Sequence, residues 1–290
     1  MTVSVVIASF QASSLLAEVL DRLRPQCREV NAEVIVSRAS PAGASDSPPV
    51  RDGCRMIACP PGATLPEIRG AGLALATGDW IALTEDNCLA RPDWLARLLA
   101  GCGSEVDVVA GVVGRATRRR MIDAGACFAE YGFYGTFRAA PQPGSAPAIT
   151  CANVAYRRNV ARTAAAWAAA GEWDNVIHDR LAASGARFGL IGDAIVDENL
   201  EHDLRGFARA RYRHGRDYAT TRCQSFSAAR RVALACGTPL LPVLLGWRVW
   251  RCAGRAAAGT FMRALPFTVA FLAAWAAGEA VGYLGIGDSA

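Results

Sequence analysis

The chain has 290 residues, 52% of them apolar, which is ample for a sizeable core and argues against disorder. It contains no lysine: all 31 cations are arginine, which excludes a phosphate-loop lysine, a Schiff base to pyridoxal phosphate and lysine-dependent nucleotidyl transfer. The net charge of +5 hides an asymmetry, because residues 1–202 carry 19 Arg against 22 Asp and Glu while residues 203–263 carry 12 Arg against 2 Asp.

Taken in chain order, "VSVVIASF" (3–10) reads as a buried strand. Ser13 and Ser14 follow as helix caps, and Leu15, Leu16, Val19, Leu20 and Leu23 recur at helical spacing. "AEVIVSR" (32–38) predicts a second strand, a Ser, Pro, Gly and Ala loop follows over 39–50, and "RMIAC" (55–59) predicts a third. A helix over Pro66–Ala76 then leads into "DWIALTE". Strand, helix, strand, strand, helix, strand is the start of a doubly wound, mostly parallel α/β sheet. Further on, "VDVVAGVVG" (106–114) predicts a strand and 132–148 a mobile Gly and Pro-rich loop. "ITCANVAYRR" (149–158) precedes an alanine-rich helix, "GEWDNVIHDRLAASG" (171–185) has helical spacing, and "RFGLIGDAIV" returns to a strand.

From residue 204 the character changes. "LRGFARARYRHGRDYATTR" is strongly basic, which asks for phosphates or an acidic membrane surface as neighbour, and no nucleic-acid recognition motif accompanies it. Beyond it lie two apolar stretches, Val232–Trp247 and Ala264–Gly278, of 16 and 15 residues. As helix each measures about 23 Å, short of a hydrocarbon core of about 30 Å. Three arrangements remain open: amphipathic helices in the membrane interface, tilted or re-entrant segments, or a hydrophobic subdomain packed on the rest of the chain. Arg248, Arg251, Arg255 and Arg263 between the runs favour membrane contact from the cytoplasmic face. The expected division is therefore 1–222 and 223–290. Ten cysteines without a Cys-x-x-Cys pair, and a start without a basic, apolar leader, predict reduced core thiols.

The chemistry gathers at "DWIALTEDNC" (79–88), where a buried strand breaks into Glu85, Asp86 and Asn87. Ligands of open α/β sheets collect at the carboxyl ends of strands, so acids placed there fit a bound cation, a sugar hydroxyl or both. Oxygens such as those of Glu85 and Asp86 suit the hard cations Mg²⁺ or Mn²⁺.

The order of these pieces resembles family 2 glycosyltransferases, mostly inverting enzymes of GT-A fold, over about residues 3–220, and the tail ending "AWAAGEAVGYLG" is similar to tails of membrane-associated bacterial members. The resemblance implies a nucleotide-sugar donor, a lipid or glycan acceptor, and a location at the cytoplasmic face of the bacterial inner membrane. It puts Ala8 and Ser9 where the first strand meets the nucleotide, and Arg69 in "EIRGAGLALATGDWIALTEDN" as a donor-contacting arginine. Glu85 and Asn87 stand at the two positions of the family's acidic signature with Asp86 between them, so the metal set is Glu85, Asp86 and Asn87. Asn87 departs from the usual aspartate. Ser37 and Arg38 stand where an acid commonly holds the base and ribose, so the base is not named. "GEWDNVIHDRL" is similar to the helix whose leading acid is the general base, here Asp174, with Arg180 matching its usual arginine; His178 shares a helical face with Asp174. Asn153 falls on the acceptor side and Arg157 in the scaffold. Arg213, His214 and Arg216 match a segment that closes over the diphosphate.

A second reading keeps the family but not the activity: a catalytically silent homologue serving as a membrane-bound binding or assembly subunit. A dinucleotide oxidoreductase fails because no Gly-x-Gly-x-x-Gly follows "SVVIA", and a sugar nucleotidylyltransferase fails for want of a Gly-rich first loop and lysines.

Overall fold

A computed structural model describes residues 1–10, 15–39, 53–115, 120–132, 134, 148–224 and 226–285. Ser13 and Ser14, the loop over 40–50 with Asp46, and most of the 132–148 stretch lie outside the described residues. The chain forms two compact units, one of Met1–Gly114 with Phe137–Asn199 and one of Arg115–Thr136 with Leu200–Ala290.

The first unit is organised around one eight-stranded sheet. β1 (Val3–Ser9), β2 (Glu33–Ala39), β3 (Cys54–Cys59) and β4 (Trp80–Glu85) stand in the order β3-β2-β1-β4 and pair in parallel throughout. β1 is buried along its whole length, as its unbroken apolar run requires of an interior parallel strand. Beyond β4 the sheet continues as β7 (Asn153–Arg157), β6 (Val108–Arg115), β8 (Phe188–Glu198) and β5 (Cys88–Ala90). Here β7 runs antiparallel to both β4 and β6, and β5 antiparallel to β8, so the parallel character belongs to the first four strands and the sheet as a whole is mixed.

Helices α1 (Leu16–Glu29), α2 (Leu65–Leu75), α3 (Trp94–Ala100), α5 (Arg158–Ala169) and α6 (Asp174–Ala183) belong to this unit. α2 begins with a capping box in which Glu67 accepts from the Thr64 backbone N–H and donates its own N–H to Thr64 Oγ1. It lies unusually close to the sheet: a Cβ at Gly72 would collide with Val6 and with Ser37 Oγ. That close approach seats Arg69, three residues earlier on the buried face of α2. α6 leans on the main core through Ile177 and Leu181, which pack with Ile149, Cys151 and Tyr156.

The second unit is helical: α4 (Met121–Tyr131), α7 (Leu204–Arg222), α8 (Ala228–Gly237) and α9 (Leu241–Leu284). Asp203 caps α7 by accepting from Gly206 N at 2.7 Å. α9 is one run of helical residues but is not straight. The rings of Trp250 and Phe261 are 5.6 Å apart, and Leu272 Cδ1 lies 3.9 Å from the Cβ position of Gly246. A straight helix would separate those pairs by about 16 Å and about 39 Å. The helix therefore doubles back between Trp250 and Phe261, giving two arms, and the two apolar stretches of the sequence are the arms of one hairpin.

Candidate active site

The carboxyl ends of β1 and β4 meet in register. Ala8 stands opposite Ser37 on one side and Glu85 on the other. One residue further, Asp86 N donates to Ala8 O at 3.1 Å and Ser9 Oγ donates to Asp86 Oδ2 at 2.8 Å. Asn87 O accepts from Asn199 N at 2.9 Å, which ties this turn to the end of β8. The buried acid Glu198 stands opposite Cys88 in the β5–β8 pairing. Nothing in the sequence singled out Glu198, because only the non-local pairing brings it beside the Glu85–Asn87 turn.

Arg69 sits between the two acidic clusters. Its Nη2 donates to Glu85 Oε1, and its Nη1 is 3.9 Å from Asp174 Oδ2, with all three side chains largely buried. Burial opposes the charge on Arg69, but Glu85 and Asp174 outweigh it and push the guanidinium pKa further up, so it stays charged. Burial likewise pushes the Glu85 carboxyl above the ordinary range, and the Arg69 charge pulls it back.

Asp174 opens α6, where the helix dipole favours a carboxylate. Its Oδ2 accepts from Cys151 N at 3.2 Å and Thr150 Oγ1 at 3.4 Å, and its Oδ1 from Asn175 N at 3.0 Å. Behind it runs a buried chain: Cys151 Sγ is 3.3 Å from Tyr156 Oη, which is 2.6 Å from His178 Nε2. Burial pushes the Cys151 thiol up to about 12 and pulls the His178 imidazole down to about 4, so both are neutral near pH 7. Thr150, Cys151 and Tyr156 were not foreseen; their sequence signal is only an apolar strand and its lead-in.

Several of the expected site residues have partners within the fold. His178 does share a face with Asp174, but at 1% exposure it is bonded to Tyr156 and faces the core rather than an acceptor. Asn153 is wholly buried: it accepts from Trp94 Nε1 at 2.8 Å and donates to Val112 O at 2.8 Å and Ala194 O at 2.9 Å, a framework cross-tie with its amide already used. Ser37 is enclosed between β2 and α2, pointing at Gly72 rather than at the strand ends. Arg180 is on the surface, paired with Glu172 and lying 4.7 Å over the Trp167 ring. Arg157 donates to Val106 O at 2.7 Å. Arg213 is exposed on α7, and Arg216 is half-buried there with Asp217 Oδ1 at 3.3 Å; both belong to the second unit.

The metal expectation narrows. Glu85 is engaged by Arg69, and among the described residues no group of three or more His, Cys, Asp or Glu is placed to hold an ion. Asp86 and Asn87 remain, one carboxylate and one amide. That donor set suits Mg²⁺ or Mn²⁺ held chiefly by substrate phosphates and water, the usual mode for these hard cations at phosphate sites.

Comparison with known proteins bears on the fold and the family. A mannosyltransferase from Pyrobaculum calidifontis, solved with GDP-Man and Mn²⁺, superposes at a TM-score of 0.52 with 16% identity, covering 96% of this chain and 86% of that one. Glucosyl-3-phosphoglycerate synthase from Mycobacterium tuberculosis, solved with Mn²⁺, UDP-glucose and phosphoglyceric acid, gives a TM-score of 0.45 at 14% identity over 75% of this chain and 78% of that one. No curated protein matches. The first likeness supports the GT-A fold; the family itself rests on sequence, since the model for glycosyl transferase family 2 matches residues 4–164. With that match spanning more than half of its length, the chain belongs to glycosyl transferase family 2, and its activity is that of a nucleotide-sugar-dependent glycosyltransferase.

Proposed function

We infer that this glycosyltransferase inverts the configuration of the sugar it moves, from a nucleoside-diphosphate donor to the hydroxyl of a lipid or cell-envelope acceptor, at the cytoplasmic face of a bacterial inner membrane. The observation that supports the chemistry most is Arg69, which links the acid at the end of β4 to the acid that opens α6.

In an inverting displacement the acceptor oxygen attacks the anomeric carbon as the bond to the diphosphate breaks on the opposite face, and one carboxylate takes the acceptor proton. Asp174 is that base in this reading. Its hydrogen bonds from Cys151, Thr150 and Asn175 fix its orientation. The neutral His178–Tyr156 pair acts indirectly, by holding α6 against β7. Arg69 keeps a positive charge between Glu85 and Asp174 without donating its proton. On the donor side, Ala8 and Ser9 line the nucleotide and Asp86 is oriented by Ser9. Asp86 and Asn87 would hold Mg²⁺ or Mn²⁺, which when bound supplies charge neutralisation for the leaving diphosphate. Arg213 and Arg216 extend the reading, since planar guanidinium groups suit two-point phosphate contacts.

The deciding experiment measures sugar transfer from a panel of nucleotide sugars, with and without Mn²⁺, alongside nucleotide binding. Asp174→Asn is expected to keep donor binding and abolish transfer. An Asn variant with full turnover overturns the role of Asp174. The second reading, a catalytically silent binding subunit, draws on the enclosure of Ser37 beneath α2, away from the strand ends. Absence of both turnover and nucleotide binding in the wild type would decide for it.

A further inference from the structure

The outer face of α8 and of the first arm of α9 carries a continuous apolar stripe. Val243, Trp247 and Trp250 recur on α9 at steps of one helical face, with Leu240 in the short turn Thr238–Leu240 before it and Val232 on α8, and in chain order the five are 50%, 71%, 75%, 54% and 42% exposed. The inner side of the same arm is packed, with Val249 fully buried and Leu245 against Phe271 and Leu272. An amphipathic helix normally turns its apolar face inward. This one has apolar residues on both faces; of the outer set, Trp247 is met by Arg251 and Trp250 by Phe261, and all five side chains remain at least 42% exposed.

Charge identifies what covers it. Arg230 and Arg231 stand at one end of the stripe, and Arg248 and Arg251 at the other beside the two tryptophans, with the Arg251 guanidinium 4.8 Å over the Trp247 ring. Tryptophan next to arginine at the edge of an apolar run is the composition of a membrane interface, where the ring sits at headgroup level and the cation meets lipid phosphate.

The packing of the second arm decides between crossing and lying flat. Its last turns touch α7 backbone to backbone: a Cβ at Gly278 would collide with Tyr212 O, and one at Gly215 with Trp275 O. Phe207 on α7 also meets Phe271 edge to face at 4.6 Å. α7 in turn exposes Arg205, Arg209 and Arg213 at four-residue spacing. Were the second arm to cross a bilayer, it would draw this arginine row into hydrocarbon. The helical stretch Ala228–Ala253 is long and apolar enough to cross, but crossing would put the turn of the hairpin on the far side and require the second arm to cross back.

We propose that the second unit is a monotopic anchor: the α8–α9 stripe lies in the plane of one leaflet and binds anionic phospholipid, and neither arm of the hairpin crosses the membrane. This rests on the membrane part of the functional reading above, and not on its catalytic part.

The test uses the full-length protein with sealed vesicles of phosphatidylcholine alone or with phosphatidylglycerol. Flotation with the anionic vesicles is expected, at least tenfold more than with neutral ones, and is lost in the Leu240→Glu/Val243→Glu variant. Circular dichroism and donor-nucleotide binding confirm that this variant is folded. In a Cys236→Ser background, Arg251→Cys is expected to react with an impermeant maleimide added outside the vesicles. Reaction only after detergent means that the hairpin crosses, and overturns the proposal. Equal flotation on neutral vesicles overturns the anionic preference. No flotation, with a dimer in solution that Val243→Glu splits, makes the stripe an interface between two copies instead. Flotation without sugar transfer supports the anchor and removes only the catalytic reading; transfer to a water-soluble acceptor without flotation does the reverse.

Discussion

At the candidate active site, charge is buried and matched; on the first arm of α9, apolar surface is exposed and unmatched. Arg69 lies between Glu85 and Asp174, Asp86 is held by Ser9, and Asp174 is held by three donors. Each of these groups would be costly to bury alone, and each has a partner. Along α8 and α9 the order is inverted, with tryptophan, valine and leucine outside and arginine at the margins. The difference teaches where each unit keeps its chemistry. The first holds it between packed elements, where orientation is fixed; the second displays it, where the complement has to come from outside the unit.

The comparison can be broken at its matched side. The largest effect is expected from Asp174→Asn, which should lower kcat by about a thousandfold with little change in donor binding, read by transfer and titration assays. Arg69→Leu should destabilise by about 3–5 kcal/mol, because it leaves Glu85 buried beside Asp174 without a counter-charge. Urea unfolding would show it, and adding Glu85→Gln should restore a large part. A double variant no more stable than the single one would mean that the Arg69–Glu85 pair is not the source.

Acid should expose the neutral histidine. The unfolded chain takes up a proton at His178 as pH falls through about 6.5. The folded chain does so only near the lowered value of about 4. Its contribution is therefore complete above the first value and is lost progressively toward the second, on the order of 3 kcal/mol in all. A His178→Gln variant should show a flatter stability profile over that window. Asn153→Ala should cost about 1–3 kcal/mol, because it leaves Trp94 Nε1 and two carbonyls unpaired, yet leave KM for the acceptor unchanged. A rise in KM without loss of stability would return Asn153 to the acceptor side. The smallest effect is expected at Asn87→Asp, which adds a second carboxylate and should lower the Mn²⁺ concentration for half activation several-fold.

Much of the fold was legible because the strands are short unbroken apolar runs: "VSVVIASF", "AEVIVSR", "RMIAC" and "DWIALTE" each became a strand within a residue or two of its expected bounds. β5 was missed because three residues hold no periodicity, and the antiparallel turn of the sheet at β7 because pairing partners are far apart in the chain. Of the site, the acids were legible as types at a strand end and a helix start. Their partners were not. Asn153 and Ser37 look polar and available in the sequence, and only the packing shows one tied to Trp94 and the other enclosed beneath Gly72.

By itself the sequence determined the family, through residues 4–164, and the strongly basic, apolar character of the chain after residue 203. Tertiary structure alone decided that Arg69 bridges Glu85 and Asp174, that His178 is a buried neutral partner of Tyr156, and that two apolar stretches fold back as one hairpin with a bare outer stripe. The physical reason is range. Hydrophobic periodicity is written in neighbouring residues, whereas the partner of a buried charge and the covering of an apolar face are set by contacts between different elements of the chain, which no local pattern encodes.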